Sequence, residues 1–246
     1  MDVKYTIITP PNLMNLSHSK SSYLFLLLCV LAVSISAHAQ TPTVNLRFVS
    51  FPKSTNAEPI ELLIGETKTI KVKIPTNSIS ETYKVPALAT WTLGKSSTNE
   101  KGEFVFLAYG KATSIIAKEQ LVIVVRQGLN DADGLTLTTL KNSDEGFNGG
   151  KYILLNATKV DIAGSIGSGK FSLKPNAHSM IAPEPTKTES DRSYCFAEFF
   201  FREDEKVHPF FTATWRFNPK ARSMVFFYHD PTSKQLQVHT IRSYMP

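Results

Sequence analysis

Short segments in which apolar and polar residues alternate recur along most of this chain. In TVNLRFVSF, every second residue from Val44 to Phe48 is apolar and the residues between them are polar. The same alternation continues through Ile60–Ile74 on both sides of Gly65-Glu66, and this pattern predicts a hairpin. No stretch has apolar residues at helical spacing over three turns. The pattern therefore predicts an all-β protein.

The segment Cys195–Ile241 shows the densest pattern, with β-rich runs joined by short polar connectors, as in a meander of hairpins. It is also the most aromatic part of the chain. Alternation places Phe196 and Phe200 on one face of its first run and Phe199 and Phe201 on the other. This strand is therefore expected to be apolar on both faces.

Two interpretations of these aromatic side chains are open. They form the core of a sandwich together with a second buried face, or they form an exposed strip that binds a glycan or a partner protein. In the second interpretation, the candidate binding residues are Phe199, Phe201 and Tyr228. Trp215 is expected in the core, because alternation in TATWRFN puts it on the apolar face. The alternative, under the second interpretation, is that Trp215 is a surface platform for a ligand.

The spacing of short strands predicts two consecutive antiparallel β-sandwich domains of immunoglobulin-like size, residues 40–128 and 151–246. Residues 129–150 are acidic and contain several glycines, so we expect a linker with one short strand, Leu135–Leu140. The local similarity of ATWTLG and ATWRFN is compatible with duplication of one domain and equally with chance.

The first residues have the pattern of an export signal. Lys20 precedes the apolar run Tyr23–Val33, and small residues at 37 and 39 match a cleavage site. The run is too short to remain as a membrane-spanning helix. We therefore expect residues 1–39 to be removed as a signal peptide. The mature chain is then exported to the periplasm, the cell surface or the medium, without a permanent membrane span.

Composition agrees with a folded exported protein. The 246 residues are 42% hydrophobic and 20% charged, and the formal net charge is +6. The lysines are scattered, with no block of basic residues, so we do not expect nucleic acid as a partner. Removal of the signal peptide leaves Cys195 as the one cysteine, which is expected to be buried and cannot form an internal disulfide.

Two motifs, one rich in glycine and one containing aspartates, match part of the pattern of a known ligand-binding loop. The run GSIGSGK at 164–170 has the spacing of a phosphate-binding loop, but Phe171 replaces the magnesium-binding hydroxyl and no helix follows. A hairpin turn is expected there.

Asp131 and Asp133 begin an acidic calcium-loop pattern that lacks its third ligand and its closing glutamate. A solvated linker is the favoured interpretation. The alternative is calcium binding with help from Asp144 or Glu145.

No catalytic pattern is apparent. The histidines of the mature chain form no zinc motif, and no G-x-S-x-G elbow occurs. Glu198 lies on an aromatic strand, as glycosidase acids often do, but no paired carboxylate can be identified from the sequence. Asn156-Ala-Thr158 is a glycosylation sequon that matters only in a eukaryotic secretory pathway. We expect no catalytic residue, no metal and no cofactor.

Four segments resemble uncharacterised exported β-sandwich proteins of bacteria: IELLIGETKTIKV, GGKYILLNATKVDI, GKFSLKPNAHSMI and ARSMVFFYHDPTSKQLQVHTI. The resemblance implies the fold and export, but no activity and no functional residues. In size, charge and two-domain layout the chain is also similar to the periplasmic pilus chaperones. It lacks their paired basic anchor residues and their strand motif, so this likeness is an analogy of layout.

The sequence therefore favours a non-enzymatic exported protein with a structural or binding role, whose partner would be a cell-surface protein or a glycan. The alternative is a carbohydrate-binding or carbohydrate-active protein that uses exposed aromatic residues of the second domain.

Overall fold

The computed structural model describes residues 42–54, 59–142, 147–189 and 191–244, and β-strands make up most of them. The first half contains β1 (Thr43–Phe51), β2 (Ile60–Leu63), β3 (Thr69–Val72), β4 (Tyr83–Pro86), β5 (Thr90–Thr98), β6 (Phe104–Thr113), β7 (Glu119–Arg126) and β8 (Leu135–Lys141). The second half contains β9 (Tyr152–Asn156), β10 (Asp161–Ile166), β11 (Gly169–Leu173), β12 (His178–Ile181), β13 (Lys187–Glu189), β14 (Arg192–Glu203), β15 (Lys206–Phe217), β16 (Ala221–His229) and β17 (Leu236–Tyr244).

The predicted all-β class is confirmed. Within the described ranges, the helical structure is one 3-10 turn at Asp131–Asp133. No helix in those ranges has the length and apolar character needed to cross a membrane.

The strands of the described ranges form four sheets, two in each repeat of the strand order set out below. Outer sheet 1 has the order β3-β2-β5-β6, and inner sheet 1 has the order β4-β1-β7-β8. Inner sheet 2 has the order β12-β9-β16-β17. Outer sheet 2 has the order β11-β10-β14-β15, and the short β13 also pairs with β14.

The two halves repeat one strand order. When β1–β4 are matched with β9–β12, and β5–β8 with β14–β17, every strand pairing of the first half has a counterpart in the second, with β13 as an addition. The long hairpins also share an irregularity, because the register shifts after Leu93 in β5 and after Phe199 in β14. We call residues 43–141 repeat 1 and residues 152–244 repeat 2.

The similar ATW segments do not correspond in this repeat. Trp91 lies on β5, whereas Trp215 lies on β15, which is the counterpart of β6. Their local similarity therefore does not record the duplication of strand order.

Each inner sheet contains one parallel pair, β1 with β7 and β9 with β16, while the other pairings are antiparallel. The expectation of purely antiparallel sandwiches is therefore wrong for the inner sheets. Parallel neighbours need a long crossover connection. Between the two strands of each parallel pair, the chain contributes strands to the outer sheet, and this segment is the crossover connection.

Three apolar cores separate the four sheets. Core 1 lies between outer sheet 1 and inner sheet 1 and contains Trp91. Core 2 lies between the two inner sheets, where Phe51 of repeat 1 stacks on Phe226 of repeat 2 with ring centroids 4.2 Å apart. Core 3 lies between inner sheet 2 and outer sheet 2 and contains Phe199 and Phe227. The two repeats therefore share a core and belong to one compact unit.

The strand β7 contributes side chains to two cores. Leu121 and Ile123 face core 2, whereas Val122 and Val124 face core 1. Successive side chains of a strand point to opposite faces, so a strand buried on both sides is a continuous apolar run. Full burial of each such side chain contributes about 1.5–3 kcal/mol relative to leaving it exposed.

The predicted linker, residues 129–150, contributes a strand to a sheet. The strand expected at Leu135–Leu140 is present as β8 and pairs with β7. The division of the mature chain into two domains at this linker stays a prediction. The proposed signal peptide, residues 1–39, lies outside the described residues.

Candidate functional site

The aromatic residues predicted to bind a ligand do not form one exposed strip. Phe199 has no exposed surface, because it lies on the inward face of β14 with Cys195 and Ala197. Its ring packs against Phe211 at 5.2 Å and Phe227 at 5.0 Å. The expectation that Phe199 binds a ligand at the surface is therefore wrong.

The other two candidates, Phe201 and Tyr228, are half-buried and pack against core 3 and core 2 respectively. Their role in binding stays a prediction. Trp215 is also half-buried and packs against core 3, with its ring 6.2 Å from that of Tyr152.

The exposed aromatic side chain of β14 lies on the opposite face. Phe196 is 46% exposed, and Phe200 is half-buried beside a shallow groove of about 100 Å³ that Arg202 and Val207 also line. We call Phe196, Phe200 and Val207 the outer aromatic face. Alternation assigns the side chains of β14 to these two faces correctly, but it does not indicate which of the two faces packs against inner sheet 2.

A larger cavity of about 530 Å³ lies in repeat 1, and we call it the repeat-1 cavity. Its volume is within the range of about 300–1,000 Å³ that is usual for small-molecule sites. Most of its accessible surface is apolar, and its aliphatic lining residues are Pro59, Ile60, Val72, Ile74 and Pro75. The other lining residues are Lys71, Lys73, Glu81, Tyr83, Arg126 and Asp131. Segments that are distant in sequence, on β2, β3, β4 and the end of β7, meet at this cavity.

A buried ion pair forms part of the cavity wall. Arg126, the last residue of β7, donates from Nε to Oδ1 of Asp131 at 2.6 Å, and both side chains are at least 95% buried. Its Nη1 donates to Ser50 Oγ at 2.6 Å and to the carbonyl of Pro52 at 3.0 Å. Buried charges are tolerated only when they are paired and hydrogen-bonded, so these bonds fix both side chains in place.

One oxygen of this pair remains without a partner. Oδ2 of Asp131 is buried and makes no hydrogen bond to any residue in the described ranges. Buried polar atoms in proteins nearly always have a partner, and an unpaired carboxylate oxygen is a strong acceptor. Asp131 lines the cavity, but Oδ2 itself has less than 1 Å² of accessible surface, so it is not available to a molecule in the cavity.

Polar groups also surround the cavity at Tyr83. Its hydroxyl accepts a hydrogen bond from the backbone N–H of Lys73 at 2.9 Å and donates one to Oε1 of Glu81 at 3.0 Å. Burial raises the pKa of Tyr83, so the phenol stays protonated at neutral pH. Lys71 and Lys73 add exposed positive charges to the lining.

The prediction of a solvated linker at Asp131 is wrong, because Asp131 is 4% exposed and paired with Arg126. The signal in the sequence is an arginine directly after the apolar run 121–125, followed five residues later by an aspartate. Asp133 accepts a hydrogen bond from the backbone N–H of Asn130 instead. Among the residues that the structure describes, no group of three acidic, histidine or cysteine side chains could hold a metal ion. Asp144 and Glu145, the further calcium ligands considered, lie outside them.

The glycine-rich run at 164–170 forms the expected hairpin turn. Gly167 and Ser168 connect β10 to β11, and Gly167 has a φ of 56°, which glycine adopts without strain.

The glycosylation sequon is a buried structural element. Asn156 has no exposed surface, and its Nδ2 donates to the carbonyls of Val160, Leu173 and Lys174. Its Oδ1 accepts from the backbone and the hydroxyl of Thr158. A glycan on Nδ2 would disrupt these bonds, so the residue has a role in folding.

Two further candidate residues, Cys195 and Glu198, lie on β14. Cys195 is buried as expected, and burial raises the pKa of its thiol. Glu198 is half-buried on the outward side of β14, and the residues directly opposite it are Ser165 and Thr212.

The arrangement in repeat 1 is suited to binding. It combines a cavity whose accessible surface is mostly apolar with a fixed buried ion pair in the wall. No protein-family model matches the chain, and no curated protein matches it.

Proposed function

We propose that this chain is an exported, non-enzymatic binding protein that holds a small apolar molecule in the repeat-1 cavity. The observation that carries the proposal is a cavity of about 530 Å³ with a mostly apolar accessible surface and the Arg126–Asp131 pair fixed in its wall. Known binding sites for small molecules have this composition, with many apolar groups and a few convergent polar ones.

We also propose that each repeat corresponds to one β-sandwich domain of immunoglobulin-like type, and that residues 1–39 are a signal peptide. The matching strand orders of the repeats support the first part. The intact mass of exported material tests the second part and should correspond to a chain that begins at Gln40. Recovery of the chain with Met1 in the membrane fraction would contradict export.

A neutral fluorescent probe, N-phenyl-1-naphthylamine, tests the cavity. We expect saturable binding of one probe per chain, and loss of this binding in Ile74→Trp, because the larger side chain fills the cavity from its wall. Leu107→Trp is the matched control, since Leu107 is 60% exposed and is not part of the cavity lining. Unchanged probe binding in the Ile74→Trp variant would contradict the proposal.

A second candidate is a carbohydrate-binding protein that uses the outer aromatic face. The 46% exposure of Phe196 favours it, because sugar rings stack on exposed aromatic side chains. On a glycan array, Phe196→Ala should abolish any saturable signal, while Tyr244→Ala, at another exposed aromatic position, should keep it. The same surface is where a cell-surface protein partner would be sought.

A further inference from the structure

We propose that this protein associates with a second copy of itself through the edge of β6, which pairs antiparallel with the same edge of the second copy. The residues concerned are 104–108, and we call them the β6 edge segment. No residue of this segment lines the repeat-1 cavity. The inference therefore does not depend on the proposed function.

The strand β6 lies at the end of outer sheet 1. Its one partner strand within the described ranges is β5, and no strand of those ranges pairs with its other edge. A strand edge of this kind presents a row of backbone N–H and C=O groups on which another strand can add. The β6 edge segment is therefore a template for a strand from another molecule.

The sequence of the β6 edge segment lacks the usual protection of a strand edge. Residues 104–108 read FVFLA, without a charge or a proline, whereas edges are commonly protected by both. When the long hairpins are aligned at their register shifts, Ala108 corresponds to Pro209 and Val105 to Lys206 in β15. Proline cannot donate to a ladder. The equivalent edge of repeat 2 is therefore blocked, and that of repeat 1 is open.

The side chains of the segment are apolar on both faces. Val105 and Leu107 share one face and are 41% and 60% exposed. Phe104 and Phe106 share the other face, where they are half-buried with ring centroids 6.5 Å apart. Uncharged segments with high β-propensity tend to pair with one another when they stay exposed at a strand edge.

The order of these residues indicates that the occupant is a second copy. Antiparallel pairing about a two-fold axis at Phe106 places Val105 opposite Leu107 of the second copy, and Phe104 opposite its Ala108. The four exposed aliphatic side chains then form one continuous strip, and no like charges face each other within the segment. An axis at Phe106 also keeps all five residues in the regular part of β6, before the register shift.

Sedimentation equilibrium of the unmodified protein tests the association. The weight-average mass should rise with concentration from that of one chain towards that of two. Leu107→Lys places a charge at the centre of the strip and should weaken the association at least about tenfold. A mass of one chain at all concentrations up to about 1 mM would contradict the proposal.

A lysine at another exposed strand position is the matched control. Tyr244 on β17 is 65% exposed, and Tyr244→Lys should keep the dissociation constant within about twofold. Association that is unchanged in Leu107→Lys would place the contact elsewhere and overturn the proposal. Any shorter chain that contains β6 keeps this edge, so its self-association is measured in the Leu107→Lys background.

Cysteine cross-linking tests the register of the pairing. Directly opposite residues have Cα atoms about 4.5–5.5 Å apart, which suits a disulfide, so Phe106→Cys should form a covalent dimer on oxidation with copper–phenanthroline. Phe104→Cys is the control on the same face, because its two copies would lie about 13 Å apart. Cys195 is buried and does not interfere. Equal cross-linking of both variants, or of Phe104→Cys alone, would overturn the pairing; if Phe106→Cys does not fold, the sedimentation comparison decides.

Discussion

At the residue scale, a few buried polar side chains organise this protein as much as its aromatic residues do. Gln120 accepts a hydrogen bond from Nε1 of Trp91 at 2.9 Å and donates from Nε2 to the carbonyls of Ile115 and Ala117. Through these hydrogen bonds, Gln120 connects the loop before β7 to core 1. Asn156 has a similar role in repeat 2 and Arg126 at the cavity. Gln120 and Asn156 each satisfy several backbone groups that burial would otherwise leave unpaired, and Arg126 satisfies one, the carbonyl of Pro52.

The two tryptophans should differ in their contribution to stability. Trp91 has no exposed surface and a buried hydrogen bond, whereas Trp215 is half-buried. We expect Trp91→Ala to lower the free energy of unfolding by about 4–5 kcal/mol and Trp215→Ala by about 2–3 kcal/mol. Urea denaturation followed by circular dichroism measures both. Equal losses, or the reverse order, would contradict the assigned burial.

Stability should fall in alkaline solution. Burial raises the pKa of Cys195, Tyr152 and Tyr228 above their ordinary values near 9 and 10. The unfolded chain therefore releases these protons at lower pH than the folded chain does. The stabilisation is complete below about pH 9 and is lost as pH rises through the folded-state values. Thermal melts between pH 8 and 11 should show a decline that is smaller in Tyr152→Phe, with Tyr244→Phe as the exposed control.

At the element scale, local patterns predicted several hairpins and missed the partners of distant strands. The meander expected over Cys195–Ile241 is wrong at one connection, because β15 pairs with β14 in outer sheet 2 whereas β16 lies in inner sheet 2. The hairpins β2–β3, β10–β11 and β16–β17 follow from alternation interrupted by turn residues. Alternation says which side chains share a face, but it does not say which strand lies beside another. The parallel pairs were missed for this reason. The repeat-1 cavity was missed because its walls come from segments that no local pattern connects.

The close approach of β10 to β14 can be tested by adding a methyl group at Gly164. A Cβ on Gly164 in β10 would lie 2.2 Å from the carbonyl oxygen of Glu198 in β14. We expect Gly164→Ala to destabilise the protein by about 1–3 kcal/mol, because the strands have to move apart. In Gly65→Ala the nearest atom would be Cβ of Lys68 at an ordinary 3.6 Å, so its melting temperature should change little. Similar melting temperatures for the two variants would contradict the close packing of β10 on β14.

At the scale of the whole molecule, core 2 should make the two repeats unfold together. It contains side chains from both repeats, such as Phe51 and Phe226, which are in ring contact. Each repeat contains one tryptophan, so Trp91→Phe and Trp215→Phe leave single reporters in repeat 2 and repeat 1 respectively. Both reporters should show the same urea midpoint once corrected for the stability cost of each substitution. Separate midpoints would support the two independent domains predicted from the sequence.

The pairing of the inner sheets has a consequence for the ancestry of the chain. Core 2 joins β1 and β7 to β9 and β16, and these strands are counterparts in the two repeats. Equivalent surfaces packed against each other are what a symmetric homodimer of single repeats would form. A chain of residues 40–142 alone would expose this apolar surface and should dimerise, which light scattering can measure; a stable monomer would contradict this. Fusion of the two copies makes that association intramolecular, so the joined protein keeps its central core at any dilution.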